Sequence, residues 1–229
     1  MLELFPEGYA EARDGDSIEL AAFTDEAGVD RLQSRFGHVR VDPVPEGWED
    51  EWKRFHRPVE IGSLWVGPPW LEPAADLLPV VIDPGQAFGT GAHPTTQLCL
   101  ELLQELDPGS LLDLGCGSGV IAIAARRLGY SPVVAVDIDE AAVEASARNA
   151  AANGVDLEVR RLDIVREPLP PAEVAVANID LRTISFLQPA STTFVTSGYY
   201  ATERPDVAGF DDIERRTKAD WAADLFRRE

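Results

Sequence analysis

The chain has 229 residues, of which 45% are hydrophobic, and its formal net charge is −20 at pH 7. That apolar content supplies one sizeable core and a small appendage, and no apolar run reaches the roughly 18 residues a membrane span needs. So acidic a chain repels phosphate backbones, which argues against direct binding of nucleic acid. The same field attracts a basic protein and speeds its encounter, although plain solubility explains the acidity equally well. The start, MLELFPEGYAEARDGD, is acidic where an export signal is basic and then apolar. Cys99 and Cys116 are the only cysteines, with no C-x-x-C pair and no clustered histidines. Neither a disulfide framework nor a metal site is expected, and a reducing cytoplasm fits best.

Three regions follow one another. Residues 1–45 read as a small α+β recognition module: ELAAFTD is strand-like, DEAGVDRLQSRFG is a helix ending at Gly37, and HVRVDPV is strand-like. Residues 46–75 form a connector rich in Trp and Pro. Trp48, Trp52 and Phe55 share one helical face there, which packs between domains or faces a substrate. Residues 76–229 alternate strand and helix, as in a parallel sheet with helices on both faces. PVVID is a strand. Pro94 opens a helix striped by Leu98, Cys99, Leu102, Leu103 and Leu106. Then come strand 110–115, helix 119–128, strand 132–137, helix 139–152 closed by Asn153 and Gly154, strand 156–163 and strand 173–178. Ligands in such sheets sit beyond the carboxyl ends of the strands, where Gly115, Asp137, Asp163 and Asn178 should converge. After Asn178 the stretch LRTISFLQPASTTFVTSG leaves room only for an abbreviated helix, and the strand-like WAADLFRR completes the sheet.

The run LLDLGCGSG at 111–119, followed by PVVAVD, is a strand, a glycine turn, a helix and a second strand ending on a carboxylate. A dinucleotide fingerprint places its third glycine five residues after the first. Here Gly115 and Gly117 are followed by Gly119, with Val120 in the fifth place, so NAD is a poor fit. Asp137 stands at the tip of the second strand, where a carboxylate accepts hydrogen bonds from both hydroxyls of a ribose. A nucleoside with an unmodified ribose is therefore expected.

These residues resemble the first motif, and its acidic partner, of class I S-adenosylmethionine-dependent methyltransferases. DPGQAFGTGAHPTTQLCL at 83–100 resembles the signature of the ribosomal protein L11 methyltransferases, the PrmA type, as do GWEDEWKRFHRP, SLWVGPPW and VAVANI in the same order. The resemblance implies an α/β class I methyltransferase sheet, Rossmann-like, preceded by a ferredoxin-like module that docks the protein substrate; here a first strand and most of a helix of that module are missing, so either the chain starts inside that helix or the module is reduced. It implies S-adenosylmethionine as cofactor, ribosomal protein L11 as partner, and methyl transfer to lysine amines and the N-terminal amine. Gly115, Gly117, Asp137 and Thr96 would hold the cofactor, with Phe88 and His93 in the same lid-like loop. Asp113 would order the glycine turn or meet the methionine amino group. Asn178 would lie beside both methyl donor and acceptor, while Asp163 would meet the adenine amino group only by general habit of the class. Read without the resemblance, AFGTGAHPTT is either a ligand-covering loop or a turn in which Thr95 and Thr96 cap a helix. Cys116 lies between motif glycines and is not expected to be a nucleophile. Two other functions stay open: lysine methylation of another protein, such as an electron-transfer flavoprotein subunit, and a non-catalytic nucleoside-binding module.

Overall fold

The computed structural model describes residues 10–14, 17–21, 26–41, 57–83 and 91–228. The chain divides into two compact units, Met1–Trp52 and Lys53–Glu229. In the first, strands β1 (Ala10–Asp14) and β2 (Ser17–Ala21) pair antiparallel, and helix α1 (Glu26–Phe36) follows. α1 stops where expected: Gly37 takes φ 80°, and its N–H donates to Gln33 O at 2.8 Å. The strand expected from HVRVDPV is not formed over residues 38–41. Its alternating pattern suits a pleat, but a strand also needs an edge to pair with. The rest of that segment, and Trp48, Trp52 and Phe55, lie outside the described residues.

The second unit begins with a small sheet of β3 (Val59–Ile61), β4 (Leu64–Gly67) and β5 (Leu78–Val81), in that spatial order. The segment PVVID therefore pairs with β4, in parallel, and not with the large sheet. Gln104, just past helix α2 (Pro94–Leu103), stitches the β3–β4 turn down. Its Oε1 accepts from Ser63 N at 2.7 Å and its Nε2 donates to Ile61 O at 3.0 Å.

The large sheet contains β6 (Leu111–Leu114), β7 (Val133–Asp137), β8 (Glu158–Arg161), β9 (Val174–Asn178), β10 (Thr193–Tyr200), β11 (Asp211–Lys218) and β12 (Trp221–Arg227). Its spatial order is β8-β7-β6-β9-β10-β12-β11. β6 to β10 are parallel, whereas β12 is antiparallel to both of its neighbours. The chain enters at the centre, winds out through helices α3 (Val120–Arg127) and α4 (Glu140–Asn153), then returns to the other side of β6. That reversal opens a crevice between the carboxyl ends of β6 and β9, where α/β sheets bind ligands.

Period-two alternation puts successive strand residues into two cores. Leu111, Val174 and Val176 join the side chains of α2 and α3, while Leu112, Leu114, Ala175 and Ala177 join Ile184, Leu187 and Phe194 on the opposite face. The helix after Asn178 is a single turn, α5 (Leu181–Ile184). β11 is an element the sequence pattern did not reveal, because DDIERRTK lacks an apolar face. It is held by Arg215, which pairs with the buried Asp224 at 3.1 Å and donates to Ala201 O and Glu203 O. Tyr199 Oη donates to the same Asp224 at 2.6 Å. Burial pushes that carboxyl above its usual range, against the pull of Tyr199 and Arg215. Among the described residues, no helix is long and apolar enough to cross a membrane.

Candidate active site

The turn after β6 is built by three glycines with positive φ: Gly115 at 79°, Gly117 at 52° and Gly119 at 81°. At Gly119 the need is also steric, since a Cβ there would collide with Ser146 of α4. The turn closes on itself through Gly119 N to Cys116 O at 2.8 Å, and α3 starts with Ile123 N donating to Gly119 O at 2.9 Å.

Asp137 is placed by the end of β7 beside this turn. Its Oδ2 accepts from Gly117 N and its Oδ1 from Asp139 N, both at 3.0 Å. An ionised carboxylate offers about four acceptor positions, so two backbone bonds leave it able to accept more. Asp113 faces the α3 side of β6 and is 1% exposed, with Oδ2 accepting from Ala122 N at 3.1 Å. Burial raises its pKa to about 7; the Ala122 bond opposes the rise and the charge of Asp137 adds to it. Burial likewise pushes the thiols of Cys99 and Cys116 up, which makes them poor nucleophiles.

Thr96 and Asn178 are 82 positions apart, and the fold brings them into contact: Asn178 Nδ2 donates to Thr96 Oγ1 at 3.2 Å. Thr96 is not a helix cap. His93 caps α2 instead, its Nδ1 lying 2.7 Å from Thr95 Oγ1 and accepting from Thr95 N at 3.4 Å. Ile179 connects Asn178 to the glycine turn, since a Cβ on Gly115 would meet Ile179 Cγ2. Contacts thus link Thr96 to Asn178, Ile179 after Asn178 to Gly115, and Gly117 to Asp137, around the carboxyl ends of β6, β7 and β9. Asp163 is engaged in its own turn, its Oδ1 accepting from Val165 N and Arg166 N and its Oδ2 pairing with Arg166 at 3.5 Å. Phe88 lies outside the described residues.

Two features escaped sequence reasoning. His93 meets Trp221 edge-on at 4.7 Å, and Trp221 stacks on Tyr200 at 4.6 Å, forming an aromatic wall that runs outward from α2. Tyr200 and Trp221 are paired across β10 and β12, 21 positions apart in sequence. The second feature is a bulge in β10 at Gly198, φ 105°, where a Cβ would strike the Ile179 backbone. Ile179 N donates to Ser197 O at 3.0 Å, so the bulge holds the residue after Asn178 in place.

Five parallel strands ordered about a central β6, closed by an antiparallel β12 and carrying a glycine turn opposite an aspartate, define a class I methyltransferase fold. The crystal structure of a ribosomal protein L11 methylase from Lactobacillus delbrueckii subsp. bulgaricus superposes with a TM-score of 0.66 at 27% identity, over 76% of this chain and 100% of that one. The family model described as ribosomal protein L11 methyltransferase (PrmA) matches residues 13–224, and the chain belongs to that family. A ribosomal protein L11 methyltransferase of Symbiobacterium thermophilum is 41% identical over 201 residues, covering 80% of this chain and 66% of that protein. One from Caldicellulosiruptor saccharolyticus is 43% identical over 148 residues, covering 62% and 49% respectively. The chain therefore spans between half and two thirds of the length of these curated relatives.

Proposed function

We propose that this chain is an S-adenosylmethionine-dependent protein methyltransferase of the cytoplasm, acting on lysine ε-amines and the N-terminal amine of ribosomal protein L11. The observation that carries the reading is the contact of Asn178 with Thr96 at the crevice. With Nδ2 donating to the Thr96 hydroxyl, Oδ1 is the acceptor left to meet an incoming amine.

The residues fit the methyl donor. The glycine turn lets a ligand approach the backbone closely, and Asp137 has acceptor capacity for ribose hydroxyls beyond its two backbone bonds. When bound, S-adenosylmethionine supplies an electrophilic methyl group on a sulfonium centre. The chain's own contribution is alignment more than acid or base catalysis. A lysine amine, reference pKa about 10.4, must be neutral to offer a lone pair, at a cost of roughly 4.6 kcal/mol at pH 7. Asn178 Oδ1 and the neighbouring backbone carbonyls accept the amine's N–H groups and aim that lone pair. The acidic surface favours encounter with a basic protein and disfavours nucleic acid.

Incubation with radiolabelled S-adenosylmethionine, purified L11 and a cell extract tests this. Label in L11 is expected. Label only in another protein overturns the substrate and supports the related lysine-methyltransferase reading; calorimetric binding of the cofactor with no label anywhere supports a non-catalytic nucleoside module.

A further inference from the structure

β5 is an edge strand of its sheet, yet its outer edge is met by side chains. Arg127 Nε donates to Pro79 O at 2.9 Å. Asn153 satisfies both backbone groups of Val81: Oδ1 accepts from Val81 N at 2.9 Å and Nδ2 donates to Val81 O at 2.6 Å. Asn149 Oδ1 accepts from Asp83 N at 3.2 Å. The spacing explains the match. Residues two apart on a strand are separated by about 6.7 Å, and residues four apart on a helix rise by about 6 Å. Asn149 and Asn153, one turn apart on α4, therefore read Asp83 and Val81 as a neighbouring strand would.

Asn149 does one thing more. Its Nδ2 donates to Ser118 O at 2.9 Å, inside the glycine turn between Gly117 and Gly119. One amide, 4% exposed, thereby joins the ligand-facing turn to the end of β5. The other two side chains of this α3–α4 clamp hold the clamp itself: Arg127 donates to Asn153 O at 2.7 Å, and Asn153 to Asn149 O at 2.8 Å. Ser118 O belongs to the 118–119 peptide, two peptide units on from the 116–117 unit whose N–H is bonded to Asp137, so Asn149 and Asp137 hold the same turn from two points.

We infer that Asn149 is a positioning residue for the cofactor cradle, holding the 117–119 backbone in the conformation that binds the nucleoside, whereas the Asn153 side chain bonds Val81 and the Asn149 carbonyl and makes no bond to the turn. This rests on the methyl-donor reading above. Asn149→Ala and Asn153→Ala serve as a matched pair, with the binding of S-adenosylhomocysteine measured by calorimetry well below each melting temperature. Both variants should melt several degrees lower. Asn149→Ala should bind about tenfold more weakly, the effect of one lost hydrogen bond to a buried carbonyl, while Asn153→Ala should stay within about twofold of wild type. Should Asn149→Ala fail to fold, Asn149→Asp keeps the acceptor for Asp83 N but loses the donor to Ser118 O, and the same weakening is expected. Equal affinity of wild type and the Asn149 variant overturns the inference, as does weakening of both variants in step with their lost stability. If wild type itself binds no S-adenosylhomocysteine, the methyl-donor reading falls and the inference falls with it.

Discussion

Replacing Asp113 by asparagine should change how stability depends on pH, and the structure sets the size of the change. The Asp113 carboxyl is 1% exposed and its pKa is raised from 3.8 to about 7, chiefly by burial. The folded protein therefore holds a proton on Asp113 over a pH range in which the unfolded chain has released it. Stability then falls as pH rises, because the unfolded state binds fewer protons. The contribution is fully present below about pH 4, declines from there to about pH 7, and is lost above. A separation of about three units corresponds to about 4 kcal/mol. An asparagine side chain is the near-isostere of the protonated acid, can still accept from Ala122 N, and does not titrate. In urea denaturation the two proteins should agree within about 1 kcal/mol at pH 4 and diverge by about 4 kcal/mol at pH 8, with Asp113→Asn the more stable. Other carboxylates are common to both, so the difference isolates this site and its coupling to Asp137. Parallel stability curves across that range would refute a proton held on Asp113 at neutral pH.

Three further substitutions probe the crevice. Asp137→Ala removes a carboxylate bonded to Gly117 and Asp139, each charge-assisted bond being worth about 1.5 to 3 kcal/mol. Calorimetry should show S-adenosylhomocysteine binding weakened at least tenfold, and an unchanged dissociation constant excludes the ribose role. Asn178→Ala should lower kcat by about a hundredfold with cofactor affinity within a few fold; the reverse pattern removes it from the amine-orienting position. Gly198→Ala puts a Cβ against the Ile179 backbone at a φ of 105°. A loss of about 1 to 3 kcal/mol in urea denaturation and a fall in kcat are expected together, whereas wild-type values for both mean the bulge does not hold Asn178.

What sequence revealed here depends on where each residue's partner lies. The β6-α3-β7 unit was legible because its signals are local: two apolar runs, a glycine turn and a carboxylate within one stretch of chain. The single-turn α5 was legible for the same reason, from the short distance between Asn178 and the next apolar run. The residues that assemble the crevice from afar were not. DDIERRTK becomes a strand because Arg215 finds the buried Asp224 nine positions on, and no alternation of its own announces that. Gly198 matters through Ile179, on another strand's end. Asn153 looked like a helix closer beside Gly154, and Gly154 does close α4 with φ 62°; yet the Asn153 side chain turns inward to Val81, 72 positions away.

Asn149, Asn153, Asn178 and Gln104 share one property that accounts for their positions. Each amide presents a donor and an acceptor on one short arm, and at least one end of each meets a chain segment remote in sequence. Where backbone ladders end, at the edge of β5, the β3–β4 turn and the tip of β9, an amide satisfies groups that a hydrocarbon would leave unpaired at about 1 to 3 kcal/mol each. Three of the four act between backbone segments and so fix the framework. Asn178 is the exception: its Nδ2 meets another side chain, and the residue ends β9 next to Ile179, which packs on the glycine turn. That difference in partners, more than the residue type, separates the amide assigned to chemistry from those that hold the fold.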